Sequence, residues 1–141
     1  MADEKVLIVD DDPAIRKLLT KVVENNGFKS MTAANGQEAV ALAQNRKFDL
    51  ILLDIMMNGV DDGFDAIRNL RATGNDIPIV ILSGRTEDFD TLYGLDIGAD
   101  DYITKPFNPV VLGAKIKALI RRNKKAAYNA HNFITAGPFR Y

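Results

Sequence analysis

The sequence predicts a three-layer α/β domain, a doubly wound (βα)5 unit whose parallel sheet runs in the order 2-1-3-4-5. Three observations carry that expectation. The runs Val6 to Val9, Phe48 to Asp54 and Ile77 to Ser83 are short and mostly apolar, as strands buried on both faces are. Segments of helical periodicity alternate with these runs along the chain, as crossover connections require. Each run also ends in polar side chains: Asp10, Asp11 and Asp12, then Asp54, then Ser83.

The elements follow in order. Val6-Leu7-Ile8-Val9 is rich in β-branched residues and reads as a central strand. Asp11 or Asp12, placed before Pro13, caps the first helix, with proline in its first turn. Ile15, Leu18, Leu19, Val22 and Val23 lie on one face of that helix, and Gly27 ends it. Phe28 to Thr32 alternates like an edge strand, and Ala39, Leu42 and Ala43 mark a short second helix. Phe48 to Asp54 is the third strand, and Phe64, Ile67 and Leu70 line the third helix. Ile77 to Ser83 is the fourth strand, followed by a helix from Glu87 to Ile97 that stops at Gly98. Asp101 to Lys105 is a short fifth strand, and Leu112, Ile116, Leu119 and Ile120 line the last helix. The three most apolar strands belong in the centre and the two mixed ones at the edges, which the order 2-1-3-4-5 satisfies. It is the flavodoxin-like order.

Composition bounds the class. The 141 residues make one domain with a short extension, and 47% hydrophobic content is enough for a core. No apolar stretch approaches the ~18 residues of a membrane span, and no signal or transit pattern opens the chain. Cysteine is absent, which excludes disulfides, thiolate nucleophiles and zinc-thiolate sites. A cytoplasmic protein with no membrane partner is expected. The net charge of −1 hides an asymmetry: residues 1–105 hold all 19 acids and 11 of the 18 Lys and Arg, a balance of −8, whereas residues 106–141 balance at +7.

In this fold the ligand crevice lies at the carboxyl ends of strands 1 and 3. Asp10 to Asp12 and Asp54 leave those strands there, Ser83 ends strand 4 and Lys105 ends strand 5. Adjacent carboxylates repel and raise one another's pKa, so such a cluster is tolerable when solvated or when it holds something positive. A cap accounts for one acid and not for three. Mg²⁺ prefers oxygen ligands, uses one or two carboxylates and bridges to phosphate. Asp54 at the crevice floor suits a nucleophile towards phosphorus. Lys105 offers fixed positive charge, Ser83 a hydroxyl, and Gly84 clear space and a backbone N–H.

The stretches "VLIVDDDP", "DLILLDIMM", "PIVILSGR" and "GADDYITKPF" resemble the receiver domain of two-component response regulators, over residues 5 to about 122. That resemblance implies Asp54 as phosphoacceptor, Mg²⁺ held by Asp11, Asp54 and the Met56 carbonyl with Asp10 acting through water, and Ser83 and Lys105 on the phosphoryl group. It implies Tyr102 as a switch aromatic coupled to Ser83, a cis Lys105–Pro106 bond, and a sensor histidine kinase as phosphoryl donor. Such a domain catalyses its own phosphorylation and dephosphorylation and is not a turnover enzyme. The segment Asn58 to Gly63 departs from the family's usual Pro-Gly-x-Asp-Gly, lacking the proline and carrying one extra residue.

"DDYITKPFNP" followed by "AKIKALIRR" is similar to the OmpR/PhoB class, whose receivers precede a winged-helix DNA-binding domain. On that reading residues 1–122 are the receiver, 123–132 a linker containing the single histidine, His131, and 133–141 the first strand of a DNA-binding domain otherwise missing from the chain. The class pairs through helix 4, strand 5 and helix 5 on activation, which implies a homodimer face including Phe89, Tyr93, Asp101, Val111, Lys115 and Arg122. Val111, Thr91 and Tyr93 stand where the class usually carries charge, so a more apolar face is expected. A stand-alone receiver acting through protein contacts is the alternative. Haloacid-dehalogenase-type phosphatases share an Asp-x-Asp, a Ser and a Lys, but they need a later acidic motif, and no Asp or Glu follows Asp101.

Overall fold

The computed structural model describes residues 4–57, 62–84 and 88–136, with side chains described for all of these except 62, 88–90 and 125–136. The chain folds as β1 (Lys5–Val9), α1 (Pro13–Asn25), β2 (Lys29–Ala33), α2 (Gly36–Asn45), β3 (Leu50–Asp54), α3 (Asp62–Ala72), β4 (Ile79–Ser83), α4 (Asp88–Asp96), β5 (Asp101–Thr104) and α5 (Pro109–Ala136). The strands form one sheet in the order β2-β1-β3-β4-β5, parallel throughout, as the sequence predicts.

Period-two alternation divides the strand residues between two cores. Leu7, Val9, Ile51, Leu53, Ile79 and Ile81 face α2 and α3, against Ala39, Ala43, Phe64, Ile67 and Leu70. Val6, Ile8, Leu50, Leu52, Val80 and Leu82 face α1 and α5, against Leu19, Val22, Val23, Leu112, Ile116 and Ile120. β3 and β4 are buried along their whole length, whereas β2 and β5 keep exposed positions, as edge strands do. Among the described residues no helix is long and apolar enough to cross a membrane.

Local chemistry fixes the joints. Asp12, not Asp11, is the N-cap of α1: its carboxylate accepts from the Ala14 N–H at 2.9 Å, and Pro13 follows. Asn35 caps α2 by accepting from the Glu38 N–H at 2.8 Å, and the Glu38 carboxylate reaches back to the Ala34 N–H at 2.8 Å. Arg71 at the end of α3 donates to the Gly98 carbonyl through Nε at 3.0 Å and Nη2 at 2.7 Å, and to the Asn75 carbonyl at 2.9 Å. Gly98 has φ +127, and a Cβ there would lie 2.8 Å from Arg71 Cγ, so backbone and contact both select glycine. The Lys105–Pro106 bond is cis.

Three expectations need correction. Leu18 is 40% exposed, because it sits on the flank of the α1 face formed by Leu19, Val22 and Val23. Residues 123–132 are helical and not a linker in conformation, and residues 133–136 are helical and not a strand, because α5 continues to Ala136. No Gly or Pro interrupts residues 114–136, and six alanines favour helix, so nothing local stops α5 before Gly137 and Pro138. Residues 137–141 of the expected remnant strand lie outside the described residues, as do residues 58–61 of the Asn58 to Gly63 loop.

Candidate functional site

The carboxyl ends of β1, β3, β4 and β5 meet at one rim. Parallel register places Val9 beside Leu53, Asp54 beside Leu82 and Ser83 beside Thr104, so the residues that follow or end these strands converge. Carboxylate oxygens of Asp10, Asp11 and Asp54 lie within 4.8 Å of one another. Asp10 is 1% exposed and Asp54 7%, so two of these acids sit in a largely dry site. With Asp12 spent on the helix cap, the other two strand-end acids remain for the crevice.

Lys105 closes the cluster. Its ammonium donates to Asp10 Oδ2 at 3.0 Å and lies 3.6 Å from Asp54 Oδ2. The Asp12 N–H donates to Asp10 Oδ1 at 2.9 Å, and Arg16 Nη1 donates to the Asp10 carbonyl at 2.6 Å. Burial pushes the Asp54 carboxyl up to about 6 from an ordinary 3.8; Lys105 opposes this, Asp10 and Asp11 add to it, and an N–H from Met56 again opposes it. One lysine against three carboxylates leaves excess negative charge beside a buried acid. Hard oxygen donors at this spacing fit a divalent cation of the Mg²⁺ type.

The other expected residues are placed as follows. Ser83 ends β4 with 2% exposure, and its carbonyl accepts from the Lys105 N–H at 2.7 Å, tying β4 to the residue that carries the ammonium. Gly84 is exposed, and a Cβ there would meet nothing within 4 Å. Met56 is 43% exposed beside the crevice, whereas Met57 is buried. Tyr102 is half-buried on β5, opposite Ile81, and packs on the α2–α3 core.

Sequence reasoning missed Gly63. A Cβ at this position would lie 2.4 Å from the Asp54 carbonyl oxygen and 2.7 Å from Ile55 Cα, and the Gly63 N–H donates to the Ile55 carbonyl at 2.8 Å. The glycine lets the start of α3 press against the strand end that carries Asp54. Its only sequence signal is a glycine in the first turn of a helix, where it is otherwise unfavourable.

The residues expected on a dimer face make contacts of their own within the chain. Tyr93 turns towards α3 instead, with its ring edge-to-face on Phe64 at 4.9 Å and its hydroxyl accepting from Arg68. Asp101 and Lys115 pair with each other at 3.3 Å. Val111 is 50% exposed and Arg122 is exposed; the Phe89 side chain lies outside the described residues. Leu92, 67% exposed, and Leu95, 40% exposed, form an apolar stripe on α4 that sequence reasoning did not single out.

A parallel doubly wound sheet with acids, a lysine and a hydroxyl gathered at its switch point defines a class of α/β domain that binds its ligand beyond the strand ends. Within that class the chain belongs to the response regulator receiver domain family, whose model matches residues 6–117. It is 42% identical over 125 residues to the alkaline phosphatase synthesis transcriptional regulatory protein PhoP of Bacillus subtilis, covering 89% of this chain and 52% of that protein. It is 40% identical over 121 residues to the DNA-binding response regulator MtrA of Mycolicibacterium smegmatis, covering 86% and 52%. The receiver domain of the Francisella response regulator 1452 superposes with a TM-score of 0.81 at 34% identity, covering 86% of this chain and 99% of that one. The chain thus spans about half the length of these two regulators.

Proposed function

We propose that this receiver is a phosphorylation-operated switch in which Asp54 accepts a phosphoryl group from a partner histidine kinase. The observation that carries the reading is the placement of Lys105 between Asp10 and Asp54, with Asp11 completing a three-carboxylate cluster. An Asp54 oxygen forms the new O–P bond as the P–N bond of the donor phosphohistidine breaks and the imidazole departs with the electron pair. Mg²⁺ would be held by Asp11, Asp54 and the Met56 carbonyl, with Asp10 through water, and when bound it supplies charge neutralisation for the phosphoryl oxygens. Lys105 holds a phosphoryl oxygen by its ammonium, and Ser83 and the Gly84 N–H hold another. The domain assists its own phosphorylation and dephosphorylation and turns over no separate substrate. Tyr102, next to β4 on the sheet edge, relays the change at Ser83 to the β5 surface.

The relatives support a reading of the output. Two regulators of which this chain matches about half are named for transcriptional regulation or DNA binding. Phosphorylation here is proposed to control self-association and, through a DNA-binding segment beyond the matched half, transcription, in the cytoplasm. The self-association face comprises α4, β5 and α5. Its anchors are apolar, Leu92, Leu95 and Val111, because Asp101 and Lys115 are engaged with each other and Tyr93 with α3.

The test is incubation with Mg²⁺ and acetyl phosphate, followed by intact mass and peptide mapping. One phosphoryl group on Asp54, lost in Asp54→Asn, is expected. Modification of the Asp54→Asn protein, or steady hydrolysis of phosphate esters without a modified intermediate, would overturn the assignment.

A further inference from the structure

The floor of the sheet, opposite the acid crevice, holds a buried acid that the switch does not use. Glu4, immediately before β1, has a side chain only 6% exposed. It pairs with Lys124, which lies 120 residues away on α5. The pair lines an open pocket of about 300 Å³ together with Phe28, Ile120, Lys117 and Arg121. A buried carboxylate is costly unless a cation meets it, and hydrogen bonding, that of the Lys124 ammonium first, lowers the Glu4 carboxyl to about 2.

The position of Lys124 gives the pair its consequence. Among the described side chains of α5, Ile120 is the last one buried in the core, and Lys124 lies one helical turn beyond it on the same face. Beyond Lys124 the helix runs on to Ala136, where the sequence predicts a linker. An isolated helix shorter than ~12–15 residues is marginal in water, so this extension needs a template and a fixed start. The receiver body supplies both through Ile120 and then through Glu4.

We propose that the Glu4–Lys124 pair is an anchor that fastens the α5 extension to the root of β1, keeping it helical and setting its direction. β1 then has a function at each end: Asp10 to Asp12 follow its carboxyl end, and Glu4 precedes its amino end, with the five-residue strand between them. Any segment continuing from α5 is aimed by the strand that also supplies the acid cluster. The inference does not depend on phosphorylation and is tested on the unmodified protein.

Hydrogen exchange resolved by mass spectrometry reads it directly. In the wild type, amides of residues 121–136 are expected to be protected. In Glu4→Gln and in Lys124→Gln, their protection should fall about fivefold or more, the size of a partly buried ion pair, while β3 and β4 keep wild-type protection. The charge exchange Glu4→Lys with Lys124→Glu should restore part of it, and it serves as the arbiter if either single variant fails to fold. Full-rate exchange of 121–136 in the wild type, unchanged protection in both single variants, or no recovery in the exchanged pair would overturn the anchor.

Discussion

Replacing Asp54 with asparagine should stabilise the unmodified, metal-free protein. The Asp54 carboxyl is raised from 3.8 to about 6, burial being the largest cause. A carboxyl whose folded pKa exceeds its unfolded value favours folding below about 3.8, and that benefit is lost as pH rises through about 6. Above that window the ionised group costs the folded state up to about 3 kcal/mol, from ~1.36 kcal/mol per pKa unit. Asparagine keeps the shape and an oxygen for the Met56 N–H, and Lys105 keeps Asp10 at 3.0 Å. The gain should be about 1–3 kcal/mol at pH 7.5, a rise in Tm of roughly 5–10 °C. Urea unfolding of both proteins with chelator at pH 4, 5, 6 and 7.5 measures the gap, which should be near zero at pH 4 and level off above pH 6. Mg²⁺ should narrow it by stabilising the wild type more than the variant. A variant no more stable than the wild type at pH 7.5, or a gap independent of pH, would refute the argument that Asp54 is held ionised against its surroundings.

Lys105→Met leaves Asp10 and Asp54 facing each other without their shared cation; it should lower stability at pH 7.5 by about 1–3 kcal/mol, less at pH 5, by urea unfolding. Gly63→Ala drives a methyl to within 2.4 Å of the Asp54 carbonyl and should cost about 1–3 kcal/mol, with reduced Asp54 phosphorylation, whereas Gly84→Ala, with nothing within 4 Å, should leave stability unchanged. Self-association of the beryllofluoride-treated protein should change little between low and moderate salt and weaken in Leu92→Ser; sedimentation at two ionic strengths checks it, and steep dissociation with salt would point to a charged face instead.

The sheet order and the crevice were legible because they rest on periodicity and on which residues end which strand. Val6 to Val9, Leu50 to Leu53 and Ile79 to Leu82 are buried along both faces, and such strands have few other places to go. The triad of Asp10, Asp11 and Asp54 follows from register alone, since parallel neighbours bring their carboxyl ends to one rim. Whether Asp11 or Asp12 capped α1 was not legible, because either acid can fold back on the N–H groups that follow Pro13. The extent of α5 was misread for another reason. A polar, basic stretch reads as linker when its anchor, Glu4, lies 120 residues earlier. The contacts of Tyr93 were not legible either: helical spacing says which residues share a face, but only the fold brings Phe64 and Arg68 of α3 to its ring and hydroxyl.

The packing also limits how a switch of this kind can respond. β1, β3 and β4 are buried on both faces, so a charge added at Asp54 cannot be absorbed by shifting the central strands without breaking two cores. What can yield lies at the rim and along the open side of the sheet. Lys105 is bound to two acids at once, and an extra anionic group on Asp54 would draw it away from Asp10. Its backbone N–H is tied to the Ser83 carbonyl, so movement there bears on the β4–β5 edge. Beyond that edge α4 rests on Tyr102 and Ile81 through Gly94, where an added Cβ would approach within 2.7 Å of Ile81. On its other side α4 is held by the contacts of Tyr93 with α3, and the loop after it by Arg71 on the Gly98 carbonyl. In the proposed mechanism α4, packed on that edge through Gly94, is therefore the element that a shift of β4 and β5 reaches first. The leucines it exposes, Leu92 and Leu95, are then the surface through which a change at Asp54 would be felt by a second molecule.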